Sequence, residues 1–379
     1  MESKLNLEEI KRYLEEHQEE FYQVSDAIYE YAELAKEEIK SSAALEHLLE
    51  AFGFTVERPY KELPTAFRAV KGKGELSIGY LCEYDALPGL WQDPVPYQKG
   101  NGNSGHGCGH NLLGVGSAAA GIALAHLAEK NEWNIRVVVY GTPAEERYSG
   151  KTIMANAGAF RDLTVCLGWH PLDHNDCGMT KFKAISSFEI IFHGKKAHAC
   201  NCPELGRSAL DACELMNVGC NYLREHVNRD CYFHYCYTNG GEVPNIVPDQ
   251  ASVWYLARAY TFEEMKALRE RILDVARGAA LMTGTQMEYR ISSENPDNRL
   301  NFTLSKLAYE CMEEIGAPEF TEEDKNWSRE VASYVDLPEA DGEFDNEVTK
   351  PMEDRVVKDN GSSDISDVSQ IVPTVNLYM

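Results

Sequence analysis

The chain has 379 residues, 44% of them hydrophobic, enough to fill the cores of two ordinary domains. Its 36 basic and 61 acidic residues leave a formal net charge of −25, a surface that repels phosphate backbones and anionic headgroups. Nucleic-acid and membrane-surface binding are thereby disfavoured, and metal cations are natural partners. No apolar run approaches the roughly 20 residues that span a bilayer, and the first residues carry no signal-type apolar stretch, so a soluble cytoplasmic protein is expected. Eleven cysteines, odd in number and irregular in spacing, read as reduced thiols that mostly pack, the Cys200-Asn201-Cys202 pair included.

Residues 7–34 and 41–52 carry apolar side chains at helical spacing among charges and are predicted surface helices. Residues 76–81 form a short apolar run ending at Glu83-Tyr84-Asp85-Ala86-Leu87-Pro88. This reads as a buried strand delivering acidic groups to its C-terminal end, where open α/β sheets build sites. A Gly/Asn-rich loop leads to His106-Gly107-Cys108-Gly109-His110 and then to a helix over 111–130, whose many small residues predict tight packing on a sheet. The β-branched run 136–140 stops just before Pro143-Ala144-Glu145-Glu146, and the run 163–167 just before His170. These motif groups therefore stand where they can converge in one crevice.

Near residue 184 the pattern changes. Strand 185–193, helix 208–225, strands 231–238 and 250–259, helix 261–281 and strand 286–291 follow in an order that suits a separate two-layer α+β domain. From Arg299 the chain returns to helix, crosses an acidic, Pro-containing stretch over 318–354, passes Gly361-Ser362-Ser363-Asp364 and ends in an apolar strand over 371–377. The expected class is α/β: a discontinuous mixed-sheet domain, residues 1–183 and 296–379, with the α+β domain inserted at 184–295. There is no internal repeat or low-complexity segment.

A thiolate, imidazoles and adjacent carboxylates are the groups that divalent transition metals bind, and a second carboxylate beside a metal-activated water is what hydrolysis needs. A lone Cys or His by a Gly-rich turn usually packs or caps. The joint pattern of Cys108, His110, Glu145, Glu146 and His170 outweighs that reading and points to a metal-dependent hydrolase. His106 and His174 lie close to these residues in sequence and read as non-ligating. A redox or metal-storage protein fits poorly, because the thiols are scattered along the chain.

Together the motifs resemble the dinuclear-metal amidohydrolases that include aminoacylases, auxin-conjugate hydrolases and bacterial aminobenzoyl-glutamate hydrolases. The carriers span nearly the whole chain: residues 83–90, 105–111, 143–146, His170-Pro171, Lys196-Ala197-His198-Ala199, Pro244-Asn245-Ile246-Val247-Pro248 and 361–364. The Glu-Tyr-Asp-Ala-Leu-Pro-Gly-Leu run and Asn111 look most like the aminobenzoyl-glutamate and dipeptidase branch. The resemblance implies a catalytic domain with an inserted dimerisation, or lid, domain. It implies two divalent ions, zinc or manganese, held by Cys108, His110, Glu146 and His170, with Glu145 as general base and Asp85 orienting a metal-bound histidine. It further implies a homodimer in which His198 crosses to the neighbouring subunit to stabilise the oxyanion, with Asn245 and Arg258 gripping a small amide substrate. The family continues past the Gly-Ser-Ser-Asp segment to a further metal-binding histidine. This chain has none after His234 and reads as truncated, so one tightly bound ion and slow hydrolysis are expected. The alternative is a catalytically impaired relative serving as a ligand-binding or assembly subunit.

Overall fold

The computed structural model describes residues 7–335 and 342–379. Residues 1–6, read above for a signal segment, and 336–341 of the acidic stretch lie outside the described residues. In chain order the helices are α1 (Leu7–Glu16), α2 (Gln18–Tyr31), α3 (Ile39–Ala51), α4 (His110–Lys130), α5 (Glu145–Tyr148), α6 (Gly150–Asn156), α7 (Ala209–Leu223), α8 (Phe262–Thr283), α9 (Phe302–Ile315), α10 (Glu322–Tyr334) and α11 (Ile365–Ile371). The strands are β1 (Thr55–Glu57), β2 (Phe67–Gly72), β3 (Leu76–Cys82), β4 (Ile135–Gly141), β5 (Val165–His170), β6 (Asn175–Asp176), β7 (Thr180–Lys181), β8 (Ala184–His193), β9 (Tyr232–Asn239), β10 (Gln250–Ala259), β11 (Gln286–Asn295), β12 (Val348–Thr349), β13 (Val357–Lys358) and β14 (Thr374–Tyr378). Two compact units result: Met1–Thr180 with Arg299–Val357 and Asp367–Met379, and Lys181–Asn298 with Lys358–Ser366.

The first unit is built on an eight-stranded mixed sheet ordered β1-β2-β4-β3-β5-β14-β6-β12. Its centre is parallel, β3 lying between β4 and β5 and β14 beside β5, while β2 runs antiparallel to β4. Parallel strands are covered on both faces, which is why β4 reads as an unbroken apolar run, with Val137, Val138, Val139 and Tyr140 all buried. On one face Ile28 of α2, Leu45 and Leu49 of α3, and Val115, Ala118 and Ile122 of α4 pack against Tyr80, Val137 and Val139. The first two segments are therefore not simply surface helices. The stretch 7–34 also breaks in two, α2 closing on Ala32 in the left-handed region (φ 40°).

Helix α4 corrects one expectation: at 21 residues it is long and apolar enough to cross a bilayer, yet 67% of its apolar window is buried inside the fold, the mark of a core helix. Its small residues let it touch the sheet: a β-carbon on Gly114 would lie 2.5 Å from the carbonyl oxygen of Glu83. The acidic stretch is also not all irregular. Helix α10 opens with a reciprocal cap, Thr321 accepting from the Asp324 amide and Asp324 from the Thr321 amide. The terminal strand starts later than the apolar pattern suggests, because α11 runs through Ile371 and Pro373 intervenes before β14.

The second unit is a four-stranded antiparallel sheet, β11-β8-β10-β9, covered by α7 and α8. Alternate residues Phe188, Ile190 and Phe192 of β8 join Val253, Tyr255 and Ala257 of β10 in a core with Cys213, Met216, Ile272 and Leu273. Both helices have side-chain caps, Ser208 accepting from the Asp211 amide and Thr261 from the Glu264 amide. The entry and exit of this unit are clasped together. Lys181 Nζ lies 2.6 Å from Asp297 Oδ2, and the Phe182 amide donates to Asn298 Oδ1 at 2.9 Å.

Candidate metal centre

Three neighbouring parallel strands carry the motif turns of the first unit. Beyond the end of β3, Glu83 and Asp85 are both buried. Beyond β4 the chain makes a tight excursion in which Ala144 (φ 63°) and Ser149 (φ 53°) both take the left-handed conformation, bracketing the single turn α5 that presents Glu145 and Glu146. The turn folds back onto Gly150, where a β-carbon would stand 1.7 Å from the Pro143 carbonyl oxygen. Gly150→Ala is therefore expected to cost about 1–3 kcal/mol, seen as a lower urea midpoint. An unchanged midpoint would show that the turn can retreat without strain.

The loop before α3 braces these turns. The Ala86 amide donates to the Glu33 carbonyl oxygen at 2.8 Å. Buried Glu38 accepts from the Ala144 amide at 2.8 Å and from Thr65 Oγ1 at 2.9 Å. Burial pushes the Glu38 carboxyl up to about 7. Nothing in the sequence marked Glu38, whose charged surroundings read as surface.

At the N-terminus of α4, His110 is almost fully buried. Its Nδ1 lies 3.0 Å from both the carbonyl oxygen and Oδ1 of Asp85, while Asp85 Oδ2 accepts from the Glu146 amide at 3.0 Å. Asp85 thus fixes the imidazole and the glutamate turn at once. Donor atoms of Cys108, His110 and Glu146 lie within 4.8 Å of one another, as do those of Glu83, His110 and Glu145. Burial resists charging of His110, but Glu83 and Asp85 outweigh it and raise the imidazole to about 10. Burial and the adjoining Glu146 carboxylate hold the Cys108 thiol well above its ordinary value, so a thiolate forms there only when a cation displaces the proton. Burial also raises Glu146, whose Oε1 is buried without a hydrogen-bond partner. That orphaned oxygen beside a thiol and an imidazole fits a divalent cation.

His170 is the last residue of β5, held in register opposite Tyr378 of β14. Its ring stands edge-on to His110 with centroids 5.8 Å apart, and its Nδ1 lies 2.9 Å from the Pro171 carbonyl oxygen. It borders the donor groups without joining either of them. His106 Nε2 meets the Ile28 carbonyl oxygen at 3.0 Å, and burial pushes that imidazole down to about 4. His174 is exposed and paired with Asp173.

In the second unit His198 and Asn245 are neighbours, since His198 bridges Ile246 and the Ala199 amide donates to the Asn245 carbonyl oxygen at 3.0 Å. His198 Nδ1 accepts from the amides of Cys200 and Asn201 at 3.2 and 3.1 Å. In the neutral ring this leaves Nε2 as the protonated, donating nitrogen. Arg258 is not with them. It sits at the other end of β10, eight residues beyond Gln250, roughly 26 Å at about 3.3 Å per residue. There Nη1 reaches the Asn360 carbonyl oxygen at 3.5 Å, and Nε is buried without a partner. The packing role expected of Cys200 is corrected, for it is exposed and its amide cradles His198. Cys82, Cys166, Cys177, Cys213 and Cys220 are the buried thiols.

A mixed α/β sheet presenting a half-buried thiol, a buried imidazole and carboxylates at the ends of parallel strands defines a metal-dependent hydrolase. Residues 180–281 match the family model described as a peptidase dimerisation domain. The chain is 37% identical over 339 residues to a subunit of the p-aminobenzoyl-glutamate hydrolase of Escherichia coli (strain K12), covering 87% of this chain and 70% of that protein. It is 33% identical over 329 residues to Xaa-Arg dipeptidase of Homo sapiens, covering 82% of this chain and 72% of that protein. Its fold matches that of a Bacillus subtilis protein described as a dinuclear metal binding peptidase from the M20 family, with a TM-score of 0.61, 19% identity and coverage of 95% and 87%. The chain belongs to the M20 family of metal-dependent amidohydrolases and peptidases, and it is a hydrolase of amide bonds.

Proposed function

We propose that the protein cleaves the amide bond of a small N-acyl amino acid, an aminobenzoyl-glutamate-like compound or a dipeptide. The observation that carries this is the convergence of Cys108, His110 and Glu146, with an orphaned carboxylate oxygen, beside Glu145. Cys108, His110, Glu146 and the adjacent His170 would hold divalent metal, zinc or manganese, which when bound supplies the Lewis acidity that activates water and polarises the scissile carbonyl. Asp85 keeps His110 in the tautomer that leaves Nε2 for the metal. Glu145 accepts the proton of the attacking water and returns it to the amide nitrogen as the C–N bond breaks, leaving a carboxylate and an amine.

His198, with Nε2 as donor, is suited to hydrogen-bond the developing oxyanion, and in this reading it does so from a partner subunit in a homodimer joined through the second unit. Asn245 beside it would contact the substrate from the same subunit, while Arg258, too far along β10 to reach the same small molecule within one chain, would bind the substrate carboxylate from the other subunit through its unsatisfied Nε. The eleven free thiols support a reducing, cytoplasmic setting.

The test is amine release from a panel of N-acyl amino acids, aminobenzoyl-glutamate and dipeptides by protein loaded with Zn(II) or Mn(II). Metal-dependent turnover of at least one class is expected. Metal-loaded protein inert on the whole panel would refute the substrate assignment.

A further inference from the structure

Glu83 belongs to one of the two donor groups and Lys151 adjoins it, but neither has a part in the roles above. Glu83 is 5% exposed and Lys151 not at all, and a carboxylate and an ammonium are costly to bury unless each meets a partner. Lys151 Nζ engages Glu83 Oε1 at 2.6 Å. The second carboxylate oxygen, Oε2, stands 3.1 Å from His110 Nε2.

Asp85 decides which ring nitrogen makes that contact. Both Asp85 atoms facing Nδ1 are acceptors, so Nδ1 carries a ring hydrogen. Nε2 then shares its own hydrogen with Glu83 Oε2, and that is the proton a divalent cation displaces, leaving Nε2 and Oε2 as two donors facing the vacated position. The orphaned Oε1 of Glu146 is 3.9 Å from the same nitrogen. Donor atoms sharing a tetrahedral ion with bonds of about 2.0–2.2 Å stand roughly 3.2–3.6 Å apart, a range that the 3.1 and 3.9 Å spacings here bracket.

We propose that Glu83 is a protein ligand of the metal centre through Oε2, and that Lys151 holds it as a single-oxygen donor by occupying Oε1. This rests on the metal-hydrolase reading above. Lys151 arrives on α6, directly after the turn that supplies Glu145 and Glu146, so the element that brings the other carboxylates also brings the counter-charge. Without that ammonium, an additional buried anion in the cluster would be unfavourable.

Titration of the full chain with Co(II), followed by visible absorption and by competition with a chromophoric chelator, tests the assignment. Glu83→Gln keeps the shape but removes the anionic oxygen. It is expected to weaken Co(II) binding by at least roughly tenfold and to alter the d–d bands as solvent replaces the carboxylate. Should Glu83→Gln fail to fold with the buried Lys151 ammonium facing an amide, the double variant Glu83→Gln/Lys151→Met removes both charges and is expected to show the same two changes. Wild-type affinity with an unchanged spectrum in either folded variant overturns the role of Glu83 and leaves the metal reading intact. A wild-type chain that binds no Co(II) overturns the metal reading and this inference with it.

Discussion

Glu145→Gln is expected to reduce kcat by roughly 10²–10⁴-fold, the usual worth of a general base, while metal affinity stays within about twofold of wild type. The amide preserves the shape of the side chain at the start of α5 but cannot accept a proton at neutral pH. Its neighbour behaves differently. Glu146 contributes the orphaned Oε1 beside Cys108 and His110, so Glu146→Ala is expected to lose metal, and activity only as a consequence. Single-turnover kinetics with metal analysis on both variants separate the two effects. Near-wild-type turnover in metal-loaded Glu145→Gln would mean that another group moves the proton.

Two inactive variants, Glu145→Gln and His198→Ala, are expected to complement one another when their subunits are exchanged. If His198 acts across the dimer, a mixed dimer carries one site with both an intact Glu145 and an intact partner His198, and another with neither. Random re-association then predicts about a quarter of wild-type activity. The neutral His198 ring is already set for its role, its Nδ1 engaged by two backbone amides and its Nε2 left to donate. Mixtures that stay inactive despite demonstrated exchange would place His198 in its own subunit's chemistry or outside catalysis.

The sequence showed the parallel core of the first unit well, because β3 and β4 are buried on both faces and cannot hide their apolar runs. The strand-helix-strand-strand-helix-strand order of the second unit was equally plain, with β10 found to the residue. The edge strand β1 and its neighbour β2 were missed, since Thr55–Glu57 is short and Phe67–Gly72 is interrupted by Arg68 and Lys71 like a solvated segment. Helix α10 had a visible signal, Thr321 followed three residues later by Asp324, which the acidic surroundings obscured. At the site, a local motif was enough to list Cys108, His110 and Glu146 together, and their donor atoms do cluster. Glu38 and Lys151 are different in kind. A charged residue, in the loop before α3 or on α6, reads as solvated until tertiary packing buries it, and their partners lie 106 positions away at Ala144 for one and 68 positions away at Glu83 for the other.

The clasp at the neck of the second unit bears on how the chain finds its fold. Pairing β14 with β5 closes a loop of about 200 residues, a non-local contact of the kind that slows folding. Most of the intervening chain, Lys181–Asn298, forms a unit of its own whose ends are tied by Lys181 to Asp297 and Phe182 to Asn298. Once that unit has formed, the slack to be gathered falls to about 85 residues, which lowers the closure entropy cost by about 0.8 kcal/mol on the logarithmic law for flexible loops. The insertion therefore shortens the search for the strand that sets His170 in register, and the kinetic burden of interrupting a catalytic sheet is much smaller than its span in sequence implies.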